Sequence, residues 1–304
     1  YDRSVSTLLA VLMLIMYVMV ILPTILWLGA KAVNNLTGLE LIPAMILLGG
    51  LSLAYSLYGG LKAVAFTDVI QVVLLIFGGL FVTYKGLDLL SEGNGLFEGF
   101  MILQSEFPEK FDAILSYAPK EVDPEAYANY IKLPGIWVLI GGMWIAHFYY
   151  WGTNQYITQR ALGGKSLDEA QNGLMFAGFL KIFMPIVVVL PGLIAVALEA
   201  NGTINLAGDR SNAYPSMLNL LPEGIKGLTF AALVAAIVSS LASLSNSVST
   251  IFTMDIYRKD QDITDVSLVK IGRIAGFFGL VTSVIVAPIF LGSLDSAFQY
   301  VQEY

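Results

Sequence analysis

The residue whose position most strongly predicts chemistry is Lys181, which lies in an almost uncharged apolar run, FLKIFMP (179–185). An ammonium inside a lipid bilayer would cost on the order of 2.5–3.5 kcal/mol, so it is kept where it has partners or a role. Pro185 has no backbone N–H and therefore cannot hydrogen-bond to the carbonyl of Lys181. A cation beside a free acceptor predicts a ligand-binding site. The alternative is a lysine whose side chain reaches the membrane surface.

A row of small and hydroxyl side chains follows helical spacing in AAIVSSLASLSNSVSTIFTMDIY (235–257). Spacings of three and four residues place one set of them on a single face of a helix: Ala236, Ser239, Ser240, Ser243 and Ser247. Hydroxyl and carbonyl oxygens are hard ligands that suit a small cation. Rows of alanine and serine also pack helices together, so the pattern alone leaves both interpretations open.

Aromatic side chains precede a glycine in YYWGTNQYITQRALGGKS (149–166). Tyr150 and Trp151, followed by Gly152 and amide side chains, suit a helix that breaks around a polar ligand. An aromatic belt at the membrane surface explains them equally well. His147 could hydrogen-bond a ligand, although a lone histidine is usually a packing residue.

One carboxylate, Asp68, lies in YGGLKAVAFTDVIQ (58–71), where a predicted helix enters the membrane. It could pair with Lys62 or relay a cation inward. Solvation at the membrane surface is an equal alternative.

The composition excludes several classes of protein. Hydrophobic residues make up 57% of the chain and charged residues 13%, about half of the charged fraction of a soluble domain. The chain has no cysteine and one histidine, which excludes disulfides and a multi-histidine metal centre. Binding of nucleic acid would require a basic face, whereas the net charge is −7. No nucleophile–base pair is evident, so we expect no enzyme.

Seven membrane spans are predicted from apolar stretches of about 17–25 residues. Their approximate limits are 6–30, 41–57, 66–84, 133–150, 174–197, 225–252 and 269–291. The acid-rich connection 85–132 is predicted to form a helical cap outside the membrane, within a single transmembrane domain covering residues 1–304. The last residues look like the start of a further span, so we expect the chain to be part of a longer one.

The lysine and arginine residues near the span ends predict the orientation, because cytoplasmic loops carry an excess of them. One side receives Arg3, Lys62, Arg160, Lys165, Arg258, Lys259, Lys270 and Arg273, and is therefore predicted to be cytoplasmic. On that topology Lys181 lies roughly 10 Å into its span. The aromatic run and Ser239 fall at neighbouring depths, as a substrate site near the midplane requires.

The stretches described above, together with FQYVQEY (298–304), resemble the sodium:solute symporter family. The resemblance extends along essentially the whole chain, and it is closest to the sodium/sugar branch, in particular its bacterial sodium/galactose members. It implies an all-α polytopic membrane protein that forms part of a LeuT-like bundle of two inverted five-helix repeats. On that map the chain supplies about seven complete spans, the third to ninth core helices, and the start of an eighth.

The resemblance also assigns roles to particular residues. Ala236, Ser239 and Ser240 match the sodium ligands, Ala236 through its carbonyl and the serines through their hydroxyl groups. Asp68 resembles the aspartate on the sodium exit path. A second sodium site, which would use Asp68 and Ser243, remains open.

The same comparison implies a sugar site. Lys181 resembles the lysine that hydrogen-bonds to sugar hydroxyls, and Tyr150 resembles the aromatic gate over the ring, with Trp151 beside it. Gln302 matches the sugar-binding glutamine. His147 departs from the family pattern, because the galactose transporter has asparagine there, which leaves the preferred sugar open.

The function implied is symport by alternating access at the inner (plasma) membrane, with sodium driving uptake of a galactose- or glucose-like monosaccharide. The alternative is another small solute, such as proline, another amino acid or sialic acid. The expected partners are the sugar, sodium and the lipid bilayer, with no nucleic acid and no cofactor besides the coupling ion. Homo-oligomerisation is left open.

Overall fold

The computed structural model describes residues 2–112, 114–132, 135–136, 138–258 and 264–292, without the side chains of residues 57–64, 125, 129, 132 and 138. The secondary structure of these residues is helical. The α-helices are α1 (Arg3–Ile15), α2 (Leu22–Thr37), α3 (Leu41–Leu90), α4 (Leu96–Glu106), α5 (Pro124–Lys132), α6 (Met143–Phe148), α7 (Gln155–Leu162), α8 (Leu167–Met184), α9 (Leu190–Ala200), α10 (Ala213–Asn219), α11 (Glu223–Ile251) and α12 (Asp265–Leu291).

Five stretches of the described chain are long and apolar enough to cross a bilayer. They are Arg3–Thr37, Ala65–Leu90, Leu167–Ala200, Glu223–Tyr257 and Asp265–Leu291, and they coincide with five of the predicted spans. A shorter apolar helix, Leu41–Ser56, lies where the second span was predicted. The span predicted at 133–150 is not among the five. The all-helical architecture is therefore confirmed, whereas the number of seven spans remains a prediction.

The long helix α3 changes direction between its two halves. The hydroxyl groups of Tyr55 and Thr67 are hydrogen-bonded to each other, although the residues are twelve positions apart. On a straight helix their Cα atoms would be about 18 Å apart, farther than the two side chains can reach. The backbone between them is helical but bent. The two spans predicted here therefore run in different directions, although they belong to one continuous helix.

The chain divides into two compact units. The first comprises Tyr1–Gly86 and Pro185–Tyr304, and the second comprises Leu87–Met184. The core of the first unit contains the fully buried side chains of Leu22 and Leu26 from α2 and of Leu241 and Leu244 from α11.

Glycines allow α12 to lie close against α11 in the first unit. Gly272 and Gly276, four residues apart, face the hydroxyl side chains of α11. A Cβ atom on Gly276 would come within 2.6 Å of Ser249 Oγ and 2.7 Å of Ser245 Oγ. The close approach thus depends on this small-residue face, as is common between membrane helices.

Several helices of the described chain contain a short π-helical segment: Met16–Ile21, Val138–Gly142, Tyr149–Thr153, Pro185–Val189 and Phe252–Tyr257. Backbone carbonyls in two of these segments accept hydrogen bonds from hydroxyl groups of neighbouring helices. Ser283 Oγ donates to Val18 O at 3.0 Å, and Thr83 Oγ1 donates to Ile186 O at 2.8 Å. Such bonds between membrane helices contribute about 0.6 kcal/mol on average.

The second unit contains the segment predicted to form a cap. There α4 lies directly against the end of α3, because Gly99 leaves room for the backbone: a Cβ atom on it would be 2.1 Å from Leu87 O. A short 3-10 helix, Pro108–Phe111, and α5 follow. Its location outside the membrane remains a prediction.

An ion pair ties α2 to the loop before α10 in the first unit. Lys31 Nζ donates to Asp209 Oδ2 at 2.5 Å, and the ammonium lies 5.6 Å from the centroid of the Trp27 ring. Both charges belong to the end of the bundle that the lysine and arginine distribution predicts to be extracellular.

Candidate functional site

The structure brings Lys181 together with the aromatic run in the second unit. Lys181 Nζ, on α8, lies 4.0 Å from the centroid of the Trp151 ring. Tyr150 packs edge-on against Trp151, with the ring centroids 5.3 Å apart and the planes at 81°. The ammonium is therefore within cation–π distance of an indole that also packs against a phenol ring.

The aromatic pair is positioned by a helix that ends where the sequence predicted a break. Tyr150 and Trp151 lie in the π-helical segment Tyr149–Thr153. Asn154 then leaves the helical conformation at φ −70° and ψ 113°, and its side chain caps the next helix by accepting a hydrogen bond from Tyr156 N at 3.1 Å. π-Helical segments are frequent at functional sites, because they redirect side chains without ending the helix.

The candidate sugar-binding side chains of this unit are accessible. Tyr150 and Trp151 are 40% and 43% exposed, and Lys181 and His147 are also exposed. His147 lies at the end of α6, one turn before Tyr150, and its role remains a prediction. Side chains that can donate hydrogen bonds next to accessible ring faces form a surface on which a polyhydroxylated ring could stack and bond.

The first unit holds the predicted sodium ligands. Ser239, on α11, is 2% exposed and donates a hydrogen bond to Asp68 Oδ1 on α3. Ala236 and Ser240 are half-buried on the same helix. The contact between Asp68 and Ser239 was not predicted from the sequence, because the family resemblance assigned the aspartate to an exit path. Its predicted pairing with Lys62 falls on a side chain outside those described.

The hydroxyl row on α11 separates into side chains with different partners. Ser239 bonds across to another helix, whereas Ser247 Oγ donates within its own helix to Ser243 O at 3.1 Å. Ser239 thus has a partner on another helix and Ser247 has one on its own helix, while the role of Ser239 as a sodium ligand remains a prediction. A single carboxylate among hydroxyl oxygens is a donor set suited to a monovalent hard cation.

Other kinds of metal site find no support in the described residues, which contain no group of three or more histidine, cysteine, aspartate or glutamate side chains able to hold an ion. Gln302, the remaining predicted sugar ligand, lies outside the described residues.

The sequence pattern of the Sodium:solute symporter family matches residues 1–303. Among curated proteins, a sodium/glucose cotransporter of Vibrio parahaemolyticus is 42% identical, covering 100% of this chain and 57% of that protein. An uncharacterized symporter, YidK, of Escherichia coli is 35% identical over 95% of the chain and 49% of its own length. The human sodium/myo-inositol cotransporter 2 is 31% identical over 98% of the chain and 46% of its own length. The chain thus spans about half the length of these relatives.

The fold is also that of a solved transporter. The substrate-bound, outward-open structure of a Na+-coupled sialic acid symporter superimposes with a TM-score of 0.75. The superposition covers 96% of this chain and 60% of the symporter chain. At 21% sequence identity the similarity is one of fold. With its membrane-length apolar helices, this chain is an integral membrane protein, and it belongs to the sodium:solute symporter family.

Proposed function

We propose that this chain forms the central part of a symporter that couples inward sodium flow to uptake of a monosaccharide at the inner (plasma) membrane. The observation that carries the proposal is the position of the Lys181 ammonium over the Trp151 ring, against which Tyr150 packs. A protonated lysine donates three hydrogen bonds, and a neighbouring aromatic face can stack on a pyranose ring. The relatives named above are transporters, so we propose no catalytic role.

Sodium would bind on α11 of the first unit. The carbonyl of Ala236 and the hydroxyl groups of Ser239 and Ser240 are its proposed ligands. The hydrogen bond from Ser239 to Asp68 supports this, because it holds one of those hydroxyl oxygens beside a carboxylate. Asp68 would thus attract the bound sodium directly, in addition to lying on the path by which sodium leaves. A further sodium position that uses Ser243 stays open.

Coupling requires that sodium and sugar favour the same state of the protein. A bound ligand shifts a conformational equilibrium only by the difference in its affinity for the two states. Sodium must therefore bind more tightly to the state that is competent for sugar, and sugar must strengthen sodium binding by the same factor. We propose alternating access between outward- and inward-facing states of a LeuT-like bundle, to which this chain supplies about seven spans.

The class of substrate is supported by the relatives. The names of two relatives specify glucose and myo-inositol, which are cyclic and polyhydroxylated. The solved structure of similar fold binds sialic acid, so another solute remains the alternative. A carboxylate-bearing substrate would be expected to pair its charge with Lys181, whereas a neutral sugar would use the ammonium only as a donor.

The test is uptake of labelled solutes by the full-length protein in proteoliposomes. Galactose, glucose, myo-inositol, proline and sialic acid would each be offered with an inward sodium gradient and with an equal potassium gradient. We expect concentrative uptake of a hexose only with sodium. Sodium-driven uptake of proline or sialic acid without any hexose would establish the alternative. Uptake that is indifferent to the cation would refute symport.

A further inference from the structure

A cavity of about 620 Å³ lies in the first unit, and its lining includes none of the residues proposed to bind sugar or sodium. Its walls are the first half of α3, the end of α11 with the π-helical segment Phe252–Tyr257, and α12. Apolar side chains, Leu53, Met254 and Val269, form part of the lining. Polar side chains form much of the rest, which distinguishes this cavity from a simple packing defect between membrane helices.

Two polar side chains in the lining have unused hydrogen-bonding capacity. The amide oxygen of Asn246 accepts a hydrogen bond from Ser56 Oγ at 2.7 Å, which orients the amide. Its Nδ2 atom is buried without a hydrogen-bond partner in the described part of the chain, and the same is true of Thr253 Oγ1. Thr253 is 5% exposed. Buried donors without partners are costly, so they favour a ligand that brings acceptors.

A positively charged side chain, Arg273, lies at the same level of the bundle as Thr253. A Cβ atom on Gly272 would lie 3.2 Å from Thr253 Oγ1, so the neighbouring residue, Arg273, begins beside that hydroxyl and also lines the cavity. Arg273 has another contact within the protein. A guanidinium carries five N–H donors in a fork that matches phosphate geometry, and it can therefore keep one contact while it binds an anion.

The donors lie at two depths. Arg273 is eight residues after the start of α12, about 12 Å along the helix from the end that is predicted to be cytoplasmic. Asn246 is seven residues before Thr253 on the adjacent helix, about 10 Å deeper in the bundle. A single phosphate ion is too small to reach both levels. An elongated ligand with acceptors at two heights fits the spacing.

We propose that this cavity binds an anionic phospholipid of the cytoplasmic leaflet. Its phosphate would lie against Arg273 and Thr253, and its ester carbonyls, deeper in the bilayer, would accept from Asn246 Nδ2. The apolar wall of Leu53, Met254 and Val269 would contact the acyl chains. Basic pockets between membrane helices on the cytoplasmic side are suited to anionic head groups, because phosphate oxygens replace the water lost on burial.

The test measures lipid binding to the purified full-length protein, with no reference to transport. Phosphatidylglycerol and phosphatidylcholine with identical acyl chains would be titrated separately, by native mass spectrometry and by the shift of the thermal unfolding midpoint. Inorganic phosphate and glycerol phosphate form a second arm, because they share the phosphate chemistry and lack the chains. We expect tighter binding of phosphatidylglycerol than of phosphatidylcholine, and little response to the soluble anions.

Three single variants locate the site. Arg273→Gln removes the cation and Thr253→Val removes the hydroxyl group with little change of shape. Lys270→Gln is the matched control, because this lysine is an exposed cation on the same helix and does not line the cavity. We expect Arg273→Gln to weaken phosphatidylglycerol binding by about tenfold, because a charge-assisted hydrogen bond is lost. Thr253→Val should weaken it less, and Lys270→Gln should leave it near the wild-type value.

Three outcomes would overturn the proposal. Equal losses in Arg273→Gln and Lys270→Gln would mean that binding reflects general surface charge. A response to inorganic phosphate that matches the response to phosphatidylglycerol would assign the cavity to a soluble anion. Equal affinity for the two lipids, unchanged in all three variants, would mean that another part of the full-length protein fills the cavity.

Discussion

Lys181 and Trp151 form a cation–π pair across α8 and the π-helical segment that follows α6, with Nζ 4.0 Å from the ring centroid. Tyr150 packs edge-on against the same indole. A cation–π contact contributes about 0.5–2 kcal/mol, which is enough to select one rotamer of a long side chain and too little to prevent its movement. Lysine is thereby pre-oriented for a substrate that must share it.

The first prediction concerns the indole. Trp151→Leu should raise the sugar concentration for half-maximal uptake by about 2- to 30-fold, because Lys181 loses its orienting partner. The sodium dependence should stay unchanged. Trp144→Leu is the control, since Trp144 is 58% exposed on α6 and packs against Phe148. Equal effects of the two substitutions in proteoliposome uptake would contradict a specific role for Trp151.

The second prediction concerns the ammonium. Lys181→Ala should abolish sodium-driven sugar uptake, because the donors that replace water around the sugar are lost. Lys165→Ala, which removes an exposed lysine from the loop before α8, should leave uptake unchanged. Uptake and binding of labelled hexose would both be measured. Full activity in Lys181→Ala would remove this residue from the sugar site.

His147→Asn should change the ranking among hexoses if the imidazole also contacts sugar.

The third prediction concerns sodium. Ser239→Ala, Ser240→Ala and Asp68→Asn should each raise the sodium concentration for half-maximal uptake. Because Ser239 and Asp68 are hydrogen-bonded, their double variant should cost less than the sum of the single variants in free energy. Ser247→Ala is the control, because in the described part of the chain the Ser247 hydroxyl group donates a hydrogen bond only within its own helix. An unchanged sodium dependence in Ser240→Ala would count against the cation assignment.

The fourth prediction concerns helix packing. A Cβ atom on Gly79 would come within 2.3 Å of Val187 Cγ1 and 3.1 Å of the Val187 carbonyl oxygen. Gly79→Ala should therefore lower stability by about 1–3 kcal/mol, measured as thermal unfolding in detergent. Gly50→Ala, on the same helix with nothing within 4 Å of its Cβ position, should be neutral or slightly stabilising. Similar melting of both variants would show that α3 does not pack here as described.

The fifth prediction concerns pH. Partial burial acts to raise the pKa of Asp209, but hydrogen bonds from Lys31 and the Ser211 backbone outweigh it, and the pKa lies below its ordinary value of 3.8. A lowered pKa in the folded state means that the stabilisation is complete above the unfolded value and is lost as the pH falls through the folded one.

Melting curves of Asp209→Asn and the parent protein test this. The parent should be more stable above about pH 5, by about 1 kcal/mol or less for a partly exposed pair. The difference should shrink below pH 3.8. Glu121→Gln, an exposed acid, is the control. A difference that persists undiminished at acid pH would contradict the ion pair.

The sequence predicted the features that depend on local patterns. Apolar length located five spans, and the glycine and amides after Trp151 indicated the helix break that Asn154 makes. The contact between Asp68 and Ser239 was missed, because the two residues are 171 positions apart and no local pattern encodes that distance. The π-helical segments were also missed. In two of them a backbone carbonyl accepts a hydrogen bond from a neighbouring helix, which no local pattern encodes.

The segment Tyr149–Thr153 has one consequence for movement. A π turn contains one residue more than an α turn, and when the extra residue passes along the helix, the residues that it passes rotate by about 100°. Such a step would swing the two rings at positions 150 and 151 away from the ammonium while the backbone remains hydrogen-bonded. A membrane helix can thus reorient a ring without unfolding, which would leave backbone N–H and C=O groups unpaired in a place without water.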